Sequence, residues 1–314
     1  MYNILFFGSD IFSMDTLKSI YNSKLFNISA IITQPDRKSG RGMKLTQNCV
    51  ASFASQNNIK LFQFEKIRNN ILDVQKIITQ LEIDINIVIA YGQILPIEIL
   101  DYPKAKSINI HGSILPRWRG AAPIQYSILT GDATTGITLM RMDQGLDTGD
   151  IIITKETAIN TNETFDSLKQ RLSVIGADLT VNNLESIIKN EVKFIKQNND
   201  NSTYAKKITK QDTIINWDKP AFDIVNMINA FDSFPAAKTF LEKMQVKLFK
   251  PELIKEEHSY KPGLVFNISK EFIDIACGAD ILRIREIQVS GKRRMAIKDF
   301  LTGYDILNKE FTNE

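Results

Sequence analysis

The sequence predicts an α/β protein: a mostly parallel sheet with helices on both faces, followed by a small β-barrel or compact sheet domain. Three observations carry this. Short β-rich runs alternate with segments of helical period through the first half of the chain. Near Asn190 the composition turns polar and loses its periodicity. Beyond it the apolar runs are of strand length and are separated by turn residues.

Taken in order, Tyr2–Phe7, Ile28–Thr33, Ile85–Ala90 and Ser107–His111 read as strands, each ended by Gly, Pro or a polar cluster. Between them Asp15–Tyr21, Asn48–Gln56 and Ile71–Leu81 have helical spacing of apolar residues. Such alternation predicts parallel pairing, because a helix is needed to return the chain to the same end of the sheet. Thr135–Met142 and Ile151–Thr154 add two strands, and Thr164–Ile188 reads as a long amphipathic helix. The stretch "KNEVKFIKQNNDNSTYAKKITKQD" is rich in Asn and Lys and reads as a linker, 190–210, between domains at 1–189 and 211–314. A helix then follows with Pro220 at its start and Ile224, Val225, Ile228 and Phe231 on one face. Val246–Phe249, Gly263–Ile268, Phe272–Ala276 and Ile281–Val289 are the strands of the second domain.

Composition excludes several classes. With 314 residues, 43% hydrophobic and 24% charged, the chain can bury a substantial soluble core. Only two Cys and two His are present, which argues against a structural zinc site and a disulfide framework and favours a reducing cytoplasm. No apolar run reaches the roughly 20 residues needed to span a bilayer, and "MYNILFFGSD" reads as a first strand and not as a signal peptide. A net charge of +3 makes no broad polyanion-binding face, so any nucleic-acid role rests on local clusters.

The chemistry concentrates in "NIHGSILPRWRG", residues 109–120. Residues i and i+2 of a strand share a face, so Asn109 and His111 are aimed together at the carboxyl end of a strand, where α/β folds bind ligands. Two readings stand: a hydrogen-bonded strand-end histidine, or a catalytic one. In "MDQGLDTGDII", Asp143, Asp147 and Asp150 lie in a Gly-rich loop. Their spacing does not match a calcium loop. One of them orienting and charging a histidine is the other reading. No Ser or Cys with an adjacent base is identifiable, so the attacking group could belong to the substrate. "FFGSDIFS" carries a single glycine, Gly8, where the dinucleotide fingerprint needs three. The loop "QPDRKSGRGMK", with Arg37, Lys38, Arg41 and Lys44, is either a solvated charged loop or one that closes on phosphate or RNA. The same two readings apply to Lys206, Lys207 and Lys210 of "AKKITK" and to Lys292, Arg293 and Arg294.

As a set these residues resemble a known family. "INIHGSILPRWRGAAPIQYSILTGD" followed by "GITLMRMDQGLDTGDII" is similar to the signature of the 10-formyltetrahydrofolate-dependent formyltransferases. "FFGSDIFS", "QPDRKSGRGMKL", "VIAYGQILP", "YAKKITKQDTIINW" and "GKRRMAIKDFLTG" extend the resemblance, in order, over nearly the whole chain. The resemblance implies a Rossmann-like catalytic domain that uses a folate formyl donor and no dinucleotide, and a C-terminal OB-like β-barrel that helps hold tRNA; from the residue types no metal is expected. It implies Asn109, His111 and Asp147 as catalytic residues, and Ser113, Ile114, Leu115 and Pro116 as a folate-binding turn. It further implies that the basic loop around Arg41 reaches the tRNA acceptor end.

The implied reaction is transfer of the formyl group of 10-formyltetrahydrofolate to the α-amine of initiator methionyl-tRNA, by a cytoplasmic, monomeric enzyme with no membrane partner. The amine is the nucleophile and negative charge develops on the formyl oxygen. In one division of labour Asn109 and protonated His111 donate to that oxygen while Asp147 orients the imidazole. In another, Asp147 or His111 accepts the proton. Two rivals stand beside this expectation: an N-formyltransferase acting on an amino sugar nucleotide, and a non-catalytic RNA-binding protein. Three separated basic clusters favour RNA over a sugar nucleotide, which has few phosphates.

Overall fold

The computed structural model describes residues 1–39 and 44–314, which form two compact units. The first comprises Met1–Gly120, Gly136–Thr157 and Lys169–Tyr204; the second comprises Ala121–Thr135, Ala158–Leu168 and Ala205–Glu314.

The first unit is built on a seven-stranded sheet ordered Ile151–Ala158, Thr134–Arg141, Ser107–His111, Ile85–Ile89, Tyr2–Gly8, Phe26–Thr33, Leu61–Gln63. From Ser107–His111 to Leu61–Gln63 every pairing is parallel. Thr134–Arg141 runs antiparallel to Ser107–His111. The sheet is therefore mostly parallel, as the alternation of elements predicts. Its inner strands are buried on both faces, which is why Tyr2–Gly8 reads as a near-continuous apolar run. On one face Leu5, Phe7, Ala30, Ile32 and Val88 pack with Val74, Ile77 and Ile78 of the helix Ile71–Gln80. The other face takes the helix Phe165–Ile188. Gly176 brings that helix so close that a Cβ there would stand 3.2 Å from the Ile110 side chain. The helix Cys49–Gln56 starts where expected because the Asn48 side chain accepts from Ala51 N at 2.9 Å.

The second unit carries an antiparallel sheet ordered Val265–Ile268, Ile273–Ala276, Ile281–Val289, Met244–Ile254, Lys238–Leu241, Phe311–Thr312, with Met295–Ala296 against Ile281–Val289. The sheet curls into a half-barrel. The helix Ala221–Phe231 packs on Met244–Ile254 and buries Ile224, Val225, Ile228 and Phe231, the face its periodicity predicts. Trp217 stacks on Phe311 at 5.8 Å and donates Nε1–H to Thr239 Oγ1, so its one polar atom is satisfied in the core.

Several short elements escape sequence reading, and the hairpin Lys238–Leu241/Met244–Ile254 shows why. Its two turn residues, Glu242 and Lys243, both have positive φ (48° and 72°). That conformation is usual for Asn-Gly, so Glu-Lys gives no local turn signal.

Cys277 is 1% exposed, and burial pushes its thiol up to about 12. Because the thiolate is the reactive form, Cys277 should resist alkylation at pH 8 until the second unit opens. Mass spectrometry of iodoacetamide-treated protein, native against urea-unfolded, checks this; rapid native labelling would contradict it.

Candidate active site

His111 ends the strand Ser107–His111, and Asn109 precedes it by two residues. Asn109 pairs with Val88, on the face opposite Ile110, so both side chains look away from the helix Phe165–Ile188. His111 is 5% exposed, too buried to be an ordinary surface residue. Its Nε2 lies 2.9 Å from the Trp118 carbonyl oxygen. A carbonyl only accepts, so Nε2 carries a proton and the ring's other nitrogen, Nδ1, is left for chemistry. Nδ1 stands 3.7 Å from Asp147 Oδ2.

Asp147 completes the cluster. Its Oδ1 accepts from Asn109 Nδ2 at 3.3 Å and its Oδ2 accepts from Gly120 N–H at 2.8 Å. The carboxylate therefore lies between the amide and the imidazole, with one oxygen tied to the backbone. Asp147 has φ 54°, a left-handed conformation that Asp tolerates better than most residues. The surrounding loop enforces it. Asp143 Oδ1 accepts from Gly145 N–H and Thr148 Oγ1, closing the turn, and the Arg141 N–H donates to the Asp150 carbonyl oxygen. At Gly149 a Cβ would fall 1.8 Å from the Arg141 carbonyl oxygen, so only glycine fits. The three carboxylates are thus not a cage: Asp143 holds the loop and Asp147 faces the histidine. Among the described residues no three His, Cys, Asp or Glu side chains converge as a metal site.

The turn Ser113–Pro116 follows directly. Ser113 Oγ donates to the Arg117 carbonyl oxygen at 2.6 Å, and Thr138 Oγ1 bridges the turn, donating to Ser113 O and accepting from Leu115 N–H. Ser113 and Leu115 are buried, whereas Ile114 and Pro116 are partly exposed. The Ser113 hydroxyl is spent on the turn, so it is not poised as a nucleophile. Beside the first strand, Ser9 Oγ accepts from Gln34 N–H and donates to the Tyr91 carbonyl oxygen. Asp10 caps a short 3-10 turn at Ile11–Ser13, so no glycine-rich phosphate loop forms there. Tyr91 packs edge-on against Phe7, and burial pushes its phenol above the ordinary value.

Of the basic residues, Arg37 and Lys44 are exposed on a small antiparallel pair, Arg37–Ser39 with Lys44–Thr46, whose backbone includes Lys38. Arg41 lies outside the described residues. Lys206, Lys207 and Lys210 are exposed. Arg294, by contrast, is engaged by Glu286 and Asp232 and covers the Phe249 ring, which makes it a structural residue of the second unit.

Sequence reading missed Arg119, Gln197 and Asn199. Arg119 is 1% exposed and donates to both Gln197 Oε1 and Asn199 Oδ1. Gln197 Nε2 in turn donates to the carbonyl oxygens of Asp147 and Gly149 at 2.9 and 2.7 Å. Gln197 and Asn199 fall in the polar stretch read as a linker, where nothing local signals a buried partner.

Residues 2–184 match the family model described as formyl transferase, and residues 207–305 match formyl transferase, C-terminal domain. The methionyl-tRNA formyltransferase of Coxiella burnetii strain CbuK_Q154 is 39% identical over 301 residues, covering 96% of this chain and 95% of that protein. That of Alkaliphilus oremlandii is 40% identical over 300 residues, covering 96% of each. Among solved structures, the sugar 3N-formyl transferase WlaRD, in the presence of dTDP and 5-N-formyl-THF, matches with TM-score 0.67 and 25% identity over 93% of this chain and 99% of that one. The N-formyltransferase of Helicobacter canadensis shares the fold at TM-score 0.68 and 23% identity, over 94% of this chain and 100% of that one. Matched in both of its parts and along nearly its whole length, the chain belongs to the formyl transferase family.

Proposed function

We propose that the chain transfers the formyl group of 10-formyltetrahydrofolate to the α-amine of initiator methionyl-tRNA, giving N-formylmethionyl-tRNA for translation initiation. The observation that carries the reading is the Asp147 carboxylate held between Asn109 and His111 in a cluster without a protein nucleophile. Full-length similarity to methionyl-tRNA formyltransferases supports the choice of acceptor.

The residue types suit the steps. The neutral amine attacks the formyl carbon, and the second N–H of Asn109 is available to the oxygen that gains charge. His111 Nε2 is held by the Trp118 carbonyl, so the imidazole acts through Nδ1. The amine proton passes to Nδ1, where the Asp147 carboxylate balances the charge. Collapse of the adduct breaks the bond between the formyl carbon and N10, and the proton returns to that nitrogen. Of the two divisions of labour considered from sequence, the geometry favours His111 as proton carrier over His111 as oxyanion donor. The proposal routes no step through a metal; the second Asn109 N–H is the donor assigned to the developing charge.

The turn Ser113, Ile114, Leu115 and Pro116 is proposed to contact the folate. Arg37, Lys38, Arg41 and Lys44, with Lys206, Lys207 and Lys210, are proposed to contact tRNA phosphates, in a monomeric cytoplasmic enzyme. Their exposure supports this for Arg37, Lys44 and the three linker lysines. Arg41→Ala should then weaken methionyl-tRNA binding and reduce the slope of log affinity against log salt by about 1. Binding titrations at several salt concentrations check it; a loss confined to folate binding would contradict the placement.

A second reading, an amino sugar nucleotide as acceptor, is favoured by the fold likeness to sugar N-formyltransferases. Steady-state turnover with 10-formyltetrahydrofolate separates the two. Formylation of methionyl-tRNA is expected, and formylation of an amino sugar nucleotide alone would end the tRNA reading.

A further inference from the structure

A buried guanidinium is costly to desolvate, and it usually meets a carboxylate that repays the cost. Arg119 is 1% exposed and meets two side-chain amides instead. Nε and Nη2 donate to Gln197 Oε1 at 3.1 and 2.8 Å, and Nη2 also donates to Asn199 Oδ1 at 2.9 Å. Filling space would not call for a charge here, so the arrangement points to a task that depends on direction.

The task is visible in what flanks this residue. The carbonyl before Arg119, that of Trp118, accepts from His111 Nε2. The amide after it, that of Gly120, donates to Asp147 Oδ2. One peptide segment therefore sets both the ring orientation of His111 and the carboxylate position of Asp147. Its backbone is fixed from outside as well, since Trp118 N–H donates to Thr203 Oγ1 and Arg119 N–H to Thr203 O. The guanidinium then orients Gln197 by occupying its oxygen, which leaves the amide N–H groups to donate to the backbone oxygens of Asp147 and Gly149. Asp147 is held in its left-handed conformation from both ends: side chain through Gly120, main chain through Gln197.

We propose that Arg119 and Gln197 are positioning residues for formyl transfer, a single buried link that keeps the His111 imidazole and the Asp147 carboxylate in mutual register. This rests on the formyl-transfer reading above. Neither residue reaches the reacting atoms; both act through the backbone of residues 118–120 and 147–149.

Gln197→Glu is the discriminating variant. Its carboxylate still accepts from Arg119, and pairs better, but it cannot donate to the Asp147 and Gly149 carbonyls. We expect kcat to fall about 10- to 100-fold, on the scale seen when a supporting hydrogen bond is lost, with KM for either substrate within about threefold. Gln197→Ala should do the same, and Gln197→Glu keeps the test open if the alanine variant fails to fold.

A second readout does not depend on turnover. The chain has two histidines, so in protein labelled with 15N-histidine His111 and His258 are observed separately. The His111 ring resonances should move in Gln197→Glu while those of His258, in the second unit, stay in place. Wild-type kcat, or a lower kcat with unmoved His111 resonances, overturns the proposal and leaves Gln197 as scaffold, even if Tm falls. If wild-type enzyme fails to formylate methionyl-tRNA, the functional reading fails, and the resonances alone decide whether Gln197 governs His111.

Discussion

Asp147→Asn should lower kcat by about 100-fold or more, the scale of a lost acid–base or charge-stabilising group. The substitution barely changes volume, so the argument turns on donors and acceptors. In the wild type the carboxylate meets three groups at once: Asn109 Nδ2, Gly120 N–H and the imidazole Nδ1. An asparagine offers one acceptor oxygen and one NH2. If its oxygen keeps Gly120, its NH2 faces the Asn109 amide, donor against donor, and the charge that would balance a protonated His111 is gone. The Asn109 amide then loses the partner that aims it. A donor left unmatched also costs stability, less for the partly buried Asn109 amide than the roughly 1–3 kcal/mol of a fully buried group, so Tm should be recorded alongside. Steady-state kinetics with 10-formyltetrahydrofolate and methionyl-tRNA decide the matter. Near-wild-type kcat would return Asp147 to the role of loop residue.

His111→Ala carries an effect of similar size, about 100-fold or more in kcat. It removes Nδ1, the ring nitrogen left available once Nε2 is bound to the Trp118 carbonyl. It also leaves that carbonyl without its donor in a buried setting. A loss of activity could therefore come from a displaced 118–120 segment as well as from the missing base. His111→Gln separates the two, because its amide can still donate to Trp118 O but cannot carry a proton. If the proton role is right, Gln is as slow as Ala. If Gln restores most of the rate, His111 acts mainly as a strand-end brace.

The legibility of this protein in its sequence follows the range of the interactions. Ser107–His111 and Ile281–Val289 were readable residue for residue, because β-branched residues interleaved with polar ones and bounded by turn residues mark a strand locally. The helix Ala221–Phe231 was readable because its buried face repeats at helical spacing. Asn109 and His111 were paired by strand alternation alone. Leu61–Gln63 and Lys238–Leu241 were not named, since three or four residues hold too little pattern; the first is paired by a strand about 30 residues away, and the second enters a hairpin whose Glu-Lys turn carries no signal. Arg119 and Gln197 were invisible for a stronger reason. A buried arginine and a surface arginine have the same letter, and a pair 78 positions apart in the chain leaves no local trace of its contact.

By itself, then, the sequence determined the α/β class and the small β domain that follows, and it named the candidate residues for chemistry, because hydrophobic period and residue type are local properties. Residue types alone left three aspartates open and the resemblance singled out Asp147, but only the tertiary structure decided how that carboxylate faces the histidine and that Nδ1, not Nε2, is turned towards it. It also decided that a buried arginine stands behind both. Those are matters of direction and distance between segments far apart in the chain, and they come into being only when the sheet, the 143–150 loop and the stretch around Gln197 are packed together.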